Sequence, residues 1–197
     1  MNPLPVFVVD DDESVRDSLA FMLEGYDFNV ESYADGVTFL DQANIEQAGC
    51  VVLDIRMPIM MGQQVHRLLK DKRSPLVVIF LTGHGDVPMA VEALKHGAID
   101  FFQKPVDGEK LVAAIHHAEK KSLHNQSQLL LHEAFKTLTT REQDLLRLLV
   151  KGYKNQQISD ELCIAVRTVE VHRSSLMKKL HAKTIAELVM FYSQIKT

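Results

Sequence analysis

The sequence predicts two domains of different class: an α/β domain on a parallel sheet over residues 1–122 and an all-α domain over residues 137–197. Three observations carry this. Short apolar runs alternate with amphipathic stretches five times in about 120 residues, the pattern of a parallel sheet wrapped by helices. In the last part of the chain the apolar residues recur at spacings of three and four, the helical period. Charge divides at the same place: residues 1–136 hold 12 Lys and Arg against 20 Asp and Glu, and residues 137–197 hold 10 against 6. A basic segment behind an acidic one marks the nucleic-acid candidate, since Lys and Arg neutralise phosphates.

The elements follow in order. Val6-Phe7-Val8-Val9 reads as a first strand, and Val15, Leu19 and Met22 as a helical stripe. Residues 28–33 make a shorter, half-polar strand. Asp35 is placed to cap a helix bearing Val37, Phe39 and Leu40. Cys50-Val51-Val52-Leu53-Asp54 is an apolar run ending on a carboxylate, with the turn-forming Met57-Pro58 after it; that is a buried strand stopping at its carboxyl end. Val65, Leu68 and Leu69 mark the next helix, and residues 76–81 a further buried strand. Asp86 is placed to cap a helix holding Val91 and Leu94, stopped by Gly97. Residues 99–102 form a short strand, and Asp107 opens a helix with Leu111, Ile115 and Ala118 on one face. Periodicity leaves the strand order open; the flavodoxin-like order 2-1-3-4-5 is one common solution. Residues 123–136 are polar and free of Gly and Pro, a helical or flexible linker.

Thr139 with Glu142 then forms a capping box before a helix with Leu145, Leu148 and Leu149 inward, ended by Gly152. Asn155 is expected to cap a second helix carrying Ile158 and Leu162. After the turn Cys163-Ile164-Ala165, a third helix runs from about residue 166 to 180. Val169, Leu176 and Leu180 face inward on it; Arg167, Arg173, Lys178 and Lys179 face out. Thr184 with Glu187 opens a fourth helix with the stripe Ile185, Leu188, Val189 and Tyr192. Two short helices, a tight turn and a basic helix follow helix-turn-helix logic, with the basic helix entering the major groove.

Several classes are set aside. No apolar run approaches the ~20 residues that cross a bilayer, and the N-terminus has no charged region of the signal-peptide kind. Cys50 and Cys163 lie far apart without metal spacing, as thiols of a reducing cytoplasm do. His84, His96, His116 and His117 read as surface residues, since adjacent helix positions point apart.

In a parallel sheet the strands end on one edge, so polar residues at strand ends converge. Asp10 and Asp11 follow the first strand, Asp54 ends the third, Thr82-Gly83 the fourth and Lys104-Pro105 the fifth. The constellation is three carboxylates, a hydroxyl and an ammonium. Converging carboxylates raise one another's pKa values. Mg²⁺ relieves that, suiting one or two carboxylates, waters and a phosphate oxygen. Asp54 is then the nucleophile that attacks phosphorus to give an acyl phosphate. Lys104 supplies a second cation, Thr82 a donor, and Gly83 room for close backbone approach.

The motifs Val-Val-Asp10-Asp11, Leu-Asp54-Ile-Arg-Met-Pro58, Leu-Thr82-Gly-His-Gly and Lys104-Pro105 resemble the receiver domain of two-component response regulators over residues 4–120. The stretch from Thr82 to Phe101 is similar to the FixJ-like subfamily. Leu138-Thr-Thr-Arg-Glu142, Gly152, Asn155, Ile158 and Arg167-Thr-Val-Glu-Val-His172-Arg173 resemble the LuxR-type four-helix DNA-binding domain over residues 137–197. The resemblance implies that Asp54 takes phosphate from a cognate sensor histidine kinase. It implies that Asp10, Asp11, Asp54 and the backbone carbonyl of Arg56 hold Mg²⁺, that Thr82, Gly83 and Lys104 contact the phosphoryl group, that Phe101 turns inward on switching, and that the peptide before Pro105 is cis. It implies that Glu170, Val171 and Ser174 face base edges, while Asn155, Arg167, Thr168, Arg173 and Lys178 serve DNA binding. The helix with Ile185, Leu188, Val189 and Tyr192 would pair with its twin in a dimer. Ala165 departs from the Ser or Thr that often caps the recognition helix, so that end is expected to fray until DNA binds.

The expectation is a cytoplasmic, phosphorylation-activated transcriptional regulator without enzymatic turnover beyond its own phosphorylation and slow dephosphorylation. Its partners would be the kinase, double-stranded promoter DNA, a second copy when phosphorylated and RNA polymerase, with no membrane. One alternative is a constitutive dimeric DNA-binding protein. The other is a metal-dependent phosphatase with Asp54 as nucleophile; such enzymes often carry a second aspartate two residues on, where this chain has Arg56.

Overall fold

A computed structural model of the chain describes residues 3–83 and 87–195. The expected cap Asp86 and the residue His84 lie outside the described residues. The chain forms two compact units, residues 1–126 and 127–197.

The first unit is a five-stranded parallel sheet in the order β2-β1-β3-β4-β5. Its strands are β1 (Pro5–Val9), β2 (Asn29–Tyr33), β3 (Cys50–Asp54), β4 (Val77–Thr82) and β5 (Asp100–Gln103). Between them run α1 (Glu13–Glu24), α2 (Gly36–Gln42), α3 (Gly62–Asp71) and α4 (Val87–Lys95), and α5 (Gly108–Lys136) follows. Successive side chains of a strand point to opposite faces, so each central strand feeds two cores. Phe7, Val9, Val51, Leu53 and Phe80 meet Phe39 of α2 and Val65 of α3 on one face. Val6, Val8, Val52, Ile79 and Leu81 meet Leu19 and Leu23 of α1 and Leu111, Ile115 and Ala118 of α5 on the other. The central strands β1, β3 and β4 are buried throughout, as sheets covered on both faces require.

Local chemistry sets the boundaries. Asp12 caps α1, accepting from the backbone N–H of Ser14 at 2.9 Å. Asp35 caps α2 as expected, accepting from Val37 and Thr38. Gly97, at φ 99°, follows α4 in the left-handed conformation that stops a helix at low steric cost. The peptide between Lys104 and Pro105 is cis. Helix α5 continues through residues 123–136. Its last buried residue is Ser122, whose hydroxyl donates to the Pro75 carbonyl and accepts from the Gly49 N–H, both at 2.8 Å.

In the second unit α6 (Thr140–Val150), α7 (Asn155–Leu162), α8 (Val166–Lys179) and α9 (Ile185–Ile195) surround a core of Leu145, Leu146, Leu149, Ile158, Val169, Leu176 and Leu188. The Thr139–Glu142 box forms in both directions. Three expectations need correction. Asn155 does not cap α7: the cap position is Lys154, and Asn155 is the first helical residue. Its side-chain oxygen instead accepts from the Arg173 guanidinium at 3.1 Å. The Thr184–Glu187 box is only half made. Thr184 Oγ1 accepts from the Glu187 N–H at 3.2 Å, but the Glu187 carboxylate reaches the N–H of Lys183 at 2.7 Å. The stripe on α9 does not wait for a partner as a whole. Leu188 is fully buried in the unit's own core and Tyr192 packs against it, because α9 must cover the apolar edge of α6. Ile185, Val189 and Met190 are the large apolar residues α9 leaves exposed.

Candidate functional site

The strand ends of the sheet gather the polar side chains. Asp54 closes β3 and pairs in register with Leu81 of β4, one residue before Thr82. The Lys104 N–H donates to the Thr82 carbonyl at 2.8 Å, which carries its side chain toward the middle strands. There Lys104 Nζ lies 2.6 Å from Asp10 Oδ2 and 2.6 Å from Asp54 Oδ1. Asp54 Oδ2 accepts from the Arg56 N–H at 2.6 Å. The backbone of Asp10 is held from both sides: its N–H donates to the Tyr33 carbonyl at 3.2 Å and its carbonyl accepts from Arg16 Nη1 at 2.8 Å.

Asp10 and Asp54 are buried and Lys104 is mostly covered. Burial pushes the Asp54 carboxyl up, outweighing the Lys104 ammonium and the Arg56 N–H that favour its charged form. For Lys104 burial acts downward, but the hydrogen bonds and charges of Asp10 and Asp54 lift it above the ordinary lysine value. Two buried carboxylates share one ammonium, so the site carries excess negative charge. Thr82 is also fully buried, and its hydroxyl has no hydrogen-bond partner among the described residues. A buried hydroxyl left so costs free energy unless something meets it.

The expectation of three converging carboxylates needs amending. Asp11 is exposed, and no three His, Cys, Asp or Glu among the described residues are grouped to hold a metal. Lys104 fills the space between Asp10 and Asp54, and Asp11 turns to solvent. The donor set still fits Mg²⁺, which takes one or two carboxylates and keeps several waters. Asp10, Asp54 and, from the adjacent position, Asp11 are hard oxygen donors with negative charge to spare; the Arg56 carbonyl is a neutral one. Gly83 follows Thr82 directly. Phe101, on β5, is partly buried against the core on the α3 face.

On the second unit, Arg167, Thr168, Glu170, Val171, Ser174 and Lys178 of α8 are exposed. Arg167, Glu170, Val171, Ser174 and Lys178 recur at spacings of three and four, hence on one face. Val171, at 62 % exposure, is an uncovered apolar residue in its middle. Arg173 is half-buried against Asn155. Ala165 at the start of α8 makes no side-chain cap, as expected. The turn before it is set by Cys163 in the left-handed conformation and by Ser159 Oγ donating to the Ile164 carbonyl at 2.6 Å.

Helix α8 is tied down at its other end by a contact that sequence reading misses. Glu142 accepts from Lys179 Nζ at 2.7 Å and from Ser175 Oγ at 2.7 Å while it completes the Thr139 box. The box was legible; the reach to α8 joins residues more than thirty apart and has no local signal. Arg16, too, carries no sequence mark of its bond to Asp10.

Comparison with known proteins agrees with this division. Residues 6–116 match the response regulator receiver domain family, and residues 136–192 match the LuxR family of bacterial regulatory proteins. The tetrathionate response regulatory protein TtrR of Salmonella typhimurium is 44 % identical over 190 residues, covering 96 % of this chain and 92 % of the relative. The transcriptional regulatory protein FixJ of Rhizobium meliloti is 40 % identical over 193 residues, covering 96 % and 95 %. Among solved structures, the response regulator StyR superposes with a TM-score of 0.74 at 40 % identity, covering 98 % of this chain and 99 % of that one. The FixJ-N structure gives 0.57 at 44 % identity, covering 61 % and 96 %.

Proposed function

Because this chain belongs to the response regulators that join a receiver domain to a LuxR-type DNA-binding domain, we propose that phosphorylation of Asp54 controls its binding to promoter DNA. The observation that carries the proposal is the triangle of Asp10, Lys104 and Asp54 beside a buried, unpartnered Thr82 hydroxyl.

The phosphoryl donor is a phosphohistidine of a cognate sensor kinase. An Asp54 carboxylate oxygen attacks phosphorus, the P–N bond breaks, and the departing imidazole nitrogen keeps the electron pair and takes a proton. Lys104 now masks Asp54 Oδ1; on transfer its ammonium moves from the carboxylate to the phosphoryl oxygens. The Thr82 hydroxyl turns to donate to one of those oxygens, which gives it the partner it lacks, and Gly83 leaves the backbone free to approach. Asp10, Asp11, Asp54 and the Arg56 carbonyl are the residues that would hold Mg²⁺, which neutralises charge on the transferred group. No outside substrate is turned over; only slow self-hydrolysis of the acyl phosphate is expected.

The phosphoryl group brings roughly −1.5 to −2 of charge. Movement of Thr82 opens space toward which Phe101 turns, and that pair is the two-state element biased by the new charge. The readout is formation of a homodimer, which sets two α8 helices in successive major grooves about 34–36 Å apart. Glu170, Val171 and Ser174 then face base edges, and Arg167, Thr168, Arg173 and Lys178 the phosphates. RNA polymerase is the further partner of the DNA-bound form. The described residues contain no helix long and apolar enough to cross a membrane.

Labelling with radioactive acetyl phosphate and Mg²⁺ tests the first step. Wild type incorporates phosphate and Asp54→Asn does not; equal incorporation by both would remove the proposal. A beryllium-fluoride complex should raise self-association and DNA affinity together, and no change in either excludes the switch.

A further inference from the structure

At the opposite end of the sheet from Asp54 lies a half-open cavity of about 520 Å³ within the first unit. It sits under the start of β4 and the turn leading into β5, about 16 Å along β4 from Thr82 at ~3.3 Å per residue. That volume falls in the ~300–1,000 Å³ range of small-molecule sites. Its polar lining consists of His66, Lys70, Ser74, His117, Lys121 and Asn125, over a floor that includes Leu69, Leu76 and Val78.

The charge of this lining is one-sided. The chain around it is acidic, yet no Asp or Glu lines the cavity. Neither Lys70 nor Lys121 pairs with a carboxylate among the described residues. Lys70 Nζ is held in place, donating to the His96 carbonyl at 2.6 Å. The ammonium lies over Gly97, within van der Waals reach (3.7 Å) of where a Cβ would stand. Asn125 Nδ2 points to the Pro75 carbonyl at 3.4 Å, anchored by the neighbouring Ser122 bonds. Cations above apolar walls in a concave site focus a positive field. The His66 ring at the cavity wall is held neutral chiefly by burial, which lowers its pKa to about 4, with Lys70 and His96 adding to the effect.

We propose that this cavity binds a small organic polyanion, a polycarboxylate or a phosphorylated metabolite, through Lys70, Lys121 and His117. The anion supplies the countercharge that the lining lacks, and Asn125 offers a donor beside it. Inorganic phosphate alone would leave most of the volume empty, so the fitting ligand carries its charges on a carbon framework or a phosphate chain. The cavity also borders the turn that joins α4 to β5, the strand bearing Phe101, so occupancy reaches the proposed switch by a short covalent path. The proposal stands or falls separately from phosphorylation at Asp54.

The test is titration of the ¹⁵N-labelled full chain with citrate and, separately, pyrophosphate, without Mg²⁺ and at constant ionic strength. Saturable shifts of the Gly97, Ala98 and Ile99 amides and of the His117 ring, with half-saturation below about 1 mM, are expected from at least one probe. Response to citrate alone identifies a polycarboxylate, and to pyrophosphate alone a phosphorylated ligand. Lys70→Gln and Lys121→Gln should each weaken binding by about tenfold. If Lys70→Gln does not fold, exposed Lys121 carries the test. The proposal is overturned if neither probe saturates there, if shifts occur only near Asp54 or in residues 137–197, or if Lys121→Gln binds as wild type does.

Discussion

Replacing Glu142 by Gln should loosen the DNA-binding unit by an amount the structure allows one to work out. Glu142 is 3 % exposed. Burial alone would raise its pKa, but the hydrogen bonds from Lys179, Ser175 and Thr139 outweigh burial and hold it at about 2, against 4.5 for a free glutamate. That gap corresponds to about 3 kcal/mol; Lys179 is 35 % exposed, so screening brings the expected loss to about 2–3 kcal/mol. Because the folded value is depressed, the stabilisation is complete above pH 4.5 and is lost as pH falls through about 2. The assay is urea unfolding of the full chain, followed through amide signals of α6 and α8, for wild type and Glu142→Gln. The difference should be about 2–3 kcal/mol at pH 7 and roughly half that at pH 3. A difference below about 0.5 kcal/mol at pH 7, or one that does not change with pH, refutes the reasoning.

Other outcomes follow from single residues. Gly62→Ala puts a Cβ 2.2 Å from the Asp54 carbonyl oxygen; stability should fall by about 1–3 kcal/mol, and acetyl-phosphate labelling should slow. Leu188→Ala should cost about 2–5 kcal/mol in unfolding experiments. Met190→Glu, on an exposed position of the same helix, should stay within ~0.5 kcal/mol of wild type and lower self-association in sedimentation. Burial, then Lys70 and His96, hold His66 near pKa 4. Its contribution is present above pH 6.5 and lost as pH falls toward 4, about 2 kcal/mol by pH 5; His66→Leu should flatten the melting temperature over that range. Asn155→Ala should weaken DNA binding severalfold by freeing Arg173 from the position in which it meets a phosphate, and the salt dependence in a titration series should become shallower by at most about one charge.

Most of the sheet was legible because its central strands are buried on both faces and so are written as unbroken apolar runs, such as Cys50–Leu53. The meeting of Asp10, Asp54 and Lys104 at one edge follows once those runs are laid parallel; the strand order does not, because the apolar pattern is the same for every order of buried strands. What periodicity does not carry is the identity of the partner. Leu188 and Val189 are neighbours in one apolar stripe, yet one is core and the other exposed, which depends on the crossing of α9 over α6. Asn155 has the residue type of a cap, but an arginine 18 positions later competes for its oxygen. Asp11 looks equivalent to Asp10 in sequence; the ties of Asp10 to Arg16, Tyr33, Lys104 and the Asp12 N–H separate them.

The two thiols differ in a way that is useful at the bench. Cys50 is sealed inside β3 and burial drives its pKa upward, whereas Cys163 is exposed at the bend before α8. Since the thiolate is the species that reacts, a maleimide dye will attach to the native chain at a single position without mutagenesis. That dye will sit beside the reading head, where its emission can register operator capture in real time.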